Sequence, residues 1–66
     1  MIEEINIYLG KKYVVDGKAS IEVTAFGFRI LVYGILDQRE LKAFKEAITM
    51  ANDSFENHLL TGTWDA

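Results

Sequence analysis

The sequence predicts an α+β fold: a four-stranded antiparallel β-meander packed on one face by a single long C-terminal α-helix. Three observations carry this: period-two alternation through the first half, glycine-bearing turn signals that divide it, and a switch to helical spacing after Gly34. Ile5-Asn6-Ile7-Tyr8-Leu9 alternates apolar and polar, and a strand is expected over about 3–9, with Gly10-Lys11 as a two-residue turn. Lys12–Val15 reads as a short second strand. Asp16-Gly17 is the strongest hairpin signal in the chain, because both residues tolerate positive φ. A third strand is expected over about 19–25 and a fourth over about 28–33, joined at Phe26-Gly27.

Residues directly opposite in an antiparallel pair share a face, so the three turns can be checked against each other. Two-residue turns at these places pair Tyr8 with Tyr13, Val14 with Ala19 and Val23 with Ile30. One face then collects Ile5, Ile7, Leu9, Val14, Ala19, Ile21, Val23, Ala25, Phe28, Ile30 and Val32, which is the face for the helix. The other carries Glu4, Asn6, Tyr8, Tyr13, Val15, Lys18, Glu22, Arg29, Leu31 and Tyr33.

A helix is expected over about 38–60. Asp37 and Glu40 form a capping box, and Leu41, Phe44, Ala47, Ile48, Ala51, Phe55 and Leu59 recur at steps of three and four. Gly62 is a natural stop. Such a helix is about 36 Å long against about 20 Å for a six-residue strand. Either its end overhangs the sheet, or it breaks near Asn52-Asp53-Ser54, where Asp53 and Glu56 offer a second capping box.

Sixty-six residues make one domain, 1–66. The absence of cysteine removes disulfides, thiolate metal sites and cysteine nucleophiles together. The acidic start at Glu3-Glu4 lacks the basic and apolar blocks of a signal peptide, and no apolar run is long enough for a membrane span, so a cytoplasmic protein is expected. The net charge of -3 conceals an arrangement: -2 over residues 1–10, +3 over 11–45 and -4 over 46–66. An acidic chain lacks the excess of Lys and Arg that drives binding to duplex nucleic acid.

Catalytic equipment is sparse. The chain has one histidine, and the pair Ser54 and His58, four apart, comes with no pocket or oxyanion donors that its spacing predicts. No metal-ligand spacing and no phosphate-cradling loop occur, so no cofactor, metal or small-molecule substrate is expected, and no enzyme. A sheet with one helix leaves its second face open. The expected contact residues are Tyr8, Tyr13, Arg29, Leu31 and Tyr33 on that face, Asp53 and Glu56 with Asp65 at the acidic end, and Trp64. Trp64 either folds back over the core, hangs in a tail or anchors a partner.

The expected function is therefore a non-enzymatic protein-binding module, self-associating or acting as an inhibitor or regulator of a larger protein or nucleoprotein complex. The alternative is a platform on which single-stranded nucleic acid stacks against the tyrosines. In size, acidity and lack of catalytic equipment the chain is similar to the small inhibitors encoded by phages and other mobile elements, a likeness that no motif carries.

Overall fold

The computed structural model describes residues 1–64 and contains four strands and one helix: β1 (Ile2–Ile7), β2 (Gly10–Val15), β3 (Ala19–Thr24), β4 (Gly27–Val32) and α1 (Gln38–Thr61). The strands pair antiparallel in the order β1-β2-β3-β4, and α1 covers one face. No described helix is long and apolar enough to cross a membrane.

The meander is as expected, but its register differs at every hairpin. The first turn is Tyr8-Leu9 rather than Gly10-Lys11, so Tyr13 lies opposite Glu4 and not Tyr8. Leu9 takes φ 59° to make that turn, at a cost of about 1–2 kcal/mol. Gly10 is needed elsewhere, since a Cβ there would stand 2.0 Å from the Val23 carbonyl oxygen on β3. The last turn is Ala25-Phe26, where the Phe26 amide donates to Thr24 Oγ1 at 3.1 Å.

The decisive change is at the middle hairpin. Asp16 (φ 47°) and Gly17 (φ 68°) form the expected turn, and the Lys18 amide donates to the Val15 carbonyl at 2.9 Å. Lys18 then bulges, so that Val15 pairs with Ala19. One extra residue exchanges the faces of β1 and β2 relative to β3 and β4. Tyr13 and Val15, expected outside, join Ala19, Ile21 and Val23 in the core, whereas Ile5, Ile7 and Val14 turn to the outer face. Two polar contacts to the helix hold this register: Tyr13 Oη with Ser54 Oγ at 2.5 Å, and Lys18 Nζ donating to Glu40 Oε1 at 3.0 Å.

The helix runs unbroken through Asn52–Ser54, so Asp53 and Glu56 form no second capping box, and the Ser54 hydroxyl meets Tyr13. Both halves of the capping box form: Glu40 N–H donates to Asp37 Oδ1 at 2.8 Å, and Asp37 N–H to Glu40 Oε1 at 3.0 Å. At the far end Gly62 adopts φ 74° and its amide donates to the His58 carbonyl at 2.8 Å. Ala47 and Ala51 are fully buried, and their small side chains let the helix settle closely across β2 and β3. The last turns overhang the sheet, leaving Leu59 and Leu60 exposed, and Trp64 folds back to stack on His58 with ring centroids 4.1 Å apart.

The cap makes the fold acid-sensitive in a defined way. The hydrogen bond from the Glu40 amide, aided by Lys18 and Arg39, holds the Asp37 carboxyl below its ordinary 3.8. A depressed acid stabilises the fold above its unfolded pKa, and that contribution is lost as pH falls through the folded value. Asp37→Asn keeps a capping side chain without the titration, so its thermal midpoint should fall less steeply than that of the parent between about pH 5 and pH 2. The Lys18 ammonium is raised above 10.5, first by its hydrogen bond to Glu40, so its contribution is present below that pH and lost in strong alkali.

Candidate interaction surface

Helix α1 lies over β2 and β3 and touches β1 slightly, so the two outer strands are margins. An α-helix is about 10 Å across, which is two strand spacings of about 4.8 Å. The helix-side positions of β1 are Ile2, Glu4 and Asn6, and those of β4 are Phe28, Ile30 and Val32. The same geometry thus holds opposite chemistry at the two edges. On β1, Glu4 accepts from Lys11 Nζ at 2.9 Å and shields that buried ammonium. On β4, Phe28, Ile30 and Val32 remain 46%, 52% and 56% exposed.

Beside them lies an open groove of about 390 Å³ between β4 and α1, lined by Ile21, Phe28, Ile30, Ile48, Thr49 and Asn52. Phe28 closes one end through a tilted contact with Phe55, ring centroids 5.2 Å apart. Leu41, Ile48 and Phe55 recur every seven residues, about two helical turns, so the groove wall continues as an apolar row.

Backbone polarity adds to this surface. The Tyr33 amide donates to the Lys18 carbonyl, so Tyr33 directs its backbone groups toward β3. Alternate residues of an antiparallel strand point the same way, so Arg29 and Leu31 also bond to β3. Phe28, Ile30 and Val32 therefore present their amides and carbonyls to the open edge. Three residues carry both the uncovered apolar side chains and the free ladder groups.

The residues expected to make contacts are dispersed. Tyr13 is 2% exposed and belongs to the core, so it is unavailable to a partner, because the Lys18 bulge turned β2 over. Tyr8 is 89% exposed, but at the β1–β2 turn rather than across from Tyr13. Arg29 and Leu31 lie on the face away from the helix, and exposed Tyr33 follows at the end of that strand. The three tyrosines consequently make no continuous stacking platform. Asp53 and Glu56 are exposed on α1, and Asp65 lies outside the described residues. Trp64 is half-buried against its own core.

Chemistry offers little beside this surface. Ser54 is engaged by Tyr13 rather than by His58, and His58 Nδ1 is buried with no hydrogen-bond partner among the described residues. Among the described residues no group of three or more His, Asp or Glu is placed to hold a metal ion. What the sequence reading missed is the row Phe28-Ile30-Val32, which it assigned to the covered core. The signal was the width of one helix against four strands. Comparison with family models, with curated proteins and with solved structures finds no match to this chain.

Proposed function

We propose that this chain works by contact rather than by catalysis, as a small protein-binding module whose working surface is the open β4 edge and the adjoining groove. The single observation that carries this is the coincidence of exposed apolar side chains and unpaired backbone groups on Phe28, Ile30 and Val32. Exposed, flat, apolar strand edges are ordinarily blunted by charge or covered. β1 follows that rule with Glu3 and Glu4, whereas the outward-pointing row of β4 holds no charge. Lys45 and Glu56 on α1 place charges of both signs beside the groove, which favours a counterpart that presents both.

The test is a pair of immobilised baits, the parent chain and Ile30→Lys, exposed to extract of the native cell. Proteins held by the parent and released by the variant, this chain itself included, are the expected result. Equal retention by both baits would show that contacts are made elsewhere.

A further inference from the structure

We infer that the occupant of the β4 edge is a second copy of this chain, paired antiparallel about a two-fold axis with Ile30 opposite Ile30, an inference that rests on the contact reading above. Such pairing would join two four-stranded sheets into one of eight strands with both helices on the same face.

Three independent features select this partner and register. The first is backbone geometry. Only residues pointing outward from both edges can exchange ladder bonds, so Phe28, Ile30 and Val32 must meet one another. Centring on Ile30 engages all three on each copy: Ile30 with Ile30, and Phe28 with Val32 in both directions. A register centred on Arg29 would set two guanidinium groups directly opposite, and one centred on Leu31 leaves Phe28 opposite Gly34. The second is side-chain chemistry. The favoured register forms a continuous apolar row from residues that are about half exposed in the single chain.

The third is charge. The two-fold axis sets the helices antiparallel. At about 100° per residue, Lys45, Asn52 and Glu56 project within about 40° of one another, on the side of Ile48 that lines the groove. Lys45 and Glu56 straddle the middle of that groove, so the axis brings Lys45 of each helix opposite Glu56 of the other. The helix axes would stand about four strand spacings, or about 19 Å, apart. About 8 Å then separates the helix surfaces, within reach of a lysine and a glutamate together.

The other edge argues against competing assemblies. A β1–β1 contact would juxtapose glutamates, and a β4–β1 contact would set Ile30 against a row containing Glu4 and would propagate rather than close. Six-residue strands pairing in this way cover on the order of 500 Å² per copy, at the lower bound of specific interfaces. The dimer is accordingly concentration-dependent.

Sedimentation of the purified chain from about 1 μM to about 1 mM tests this, a range that brackets weak association. The mass should rise from 7.5 kDa toward twice that value. Ile30→Lys should weaken association at least tenfold, with an unchanged far-ultraviolet spectrum; Val32→Lys provides a second variant if the first fails to fold. Because the chain has no cysteine, Ile30→Cys reports contact directly. Opposite residues in a bonded pair lie about 5.5 Å apart at Cα, within disulfide range. This variant should cross-link on mild oxidation much faster than Glu4→Cys on the other edge. A mass of one chain at every concentration, or equal cross-linking of the two cysteine variants, would overturn the dimer. If the purified chain stays single while a bait retains another protein in an Ile30-dependent way, the dimer fails and the contact reading stands. If neither occurs, both fail.

Discussion

Gly10→Ala is expected to be among the most damaging single substitutions in this chain. The added methyl would stand 2.0 Å from the Val23 carbonyl oxygen and 3.0 Å from its carbon. Both atoms belong to the backbone of β3, which is bonded on each side and packed beneath the helix, so no flexible side chain can yield. Overpacking of a core costs about 1–3 kcal/mol and sometimes more, and a clash with a central ladder belongs at the upper end. A domain of 66 residues is stable by only about 3–10 kcal/mol. The thermal midpoint should therefore fall by about 10 °C or more, as read by calorimetry. Gly17→Ala is the comparison, with φ 68° but nothing within 4 Å of the new methyl, and it should cost about 1 kcal/mol.

Tyr13→Ala is the second large effect, and it discriminates between two registers. In the structure Tyr13 is the largest fully buried side chain and its hydroxyl meets Ser54, so truncation should cost about 3–5 kcal/mol in urea unfolding. Tyr13→Phe removes only the hydroxyl and should cost about 1 kcal/mol. Tyr8→Ala, at an exposed turn, should lie within about 0.5 kcal/mol of the parent. If Tyr13 faced solvent opposite Tyr8, as the simple turn arithmetic expects, the two alanine variants would behave alike.

Features set by near neighbours are legible in this sequence, and those set by distant contacts are not. The alternation of the third and fourth strands, the Asp16-Gly17 turn and the Asp37–Glu40 cap are local properties, set by residues a few positions apart. The turn and the cap stand where the sequence puts them, and the strands expected over about 19–25 and 28–33 lie within one residue of that, at Ala19–Thr24 and Gly27–Val32. Register is not local. The Lys18 bulge is held by contacts from Tyr13 to Ser54 and from Lys18 to Glu40, spanning 41 and 22 residues. No pattern inside a hairpin reports these. Moreover, Val14 and Val15 are equally apolar, so β2 reads well with either one inward. Gly10 misled for a related reason: glycine serves a turn and a close strand approach equally, and only the facing Val23 carbonyl decides between them. The helix continues past Asn52 with Asp53 and Glu56 exposed on its surface, while the neighbouring Ser54 finds a partner in Tyr13.

The candidate surface was hidden by the same logic. Phe28, Ile30 and Val32 alternate as core residues do, and alternation says which side of a sheet a residue faces but not whether anything lies above it. Coverage is a matter of widths, and a single helix roofs about two strands.

Amide hydrogen exchange on β4, followed as chain concentration is raised, tests the central claim most directly. Protection of Arg29 and Leu31 at every concentration is expected, since their amides bond to β3, together with protection of Phe28, Ile30 and Val32 that grows with concentration. Free exchange of those three amides at all concentrations, or exchange of Arg29 and Leu31 in their place, would contradict it.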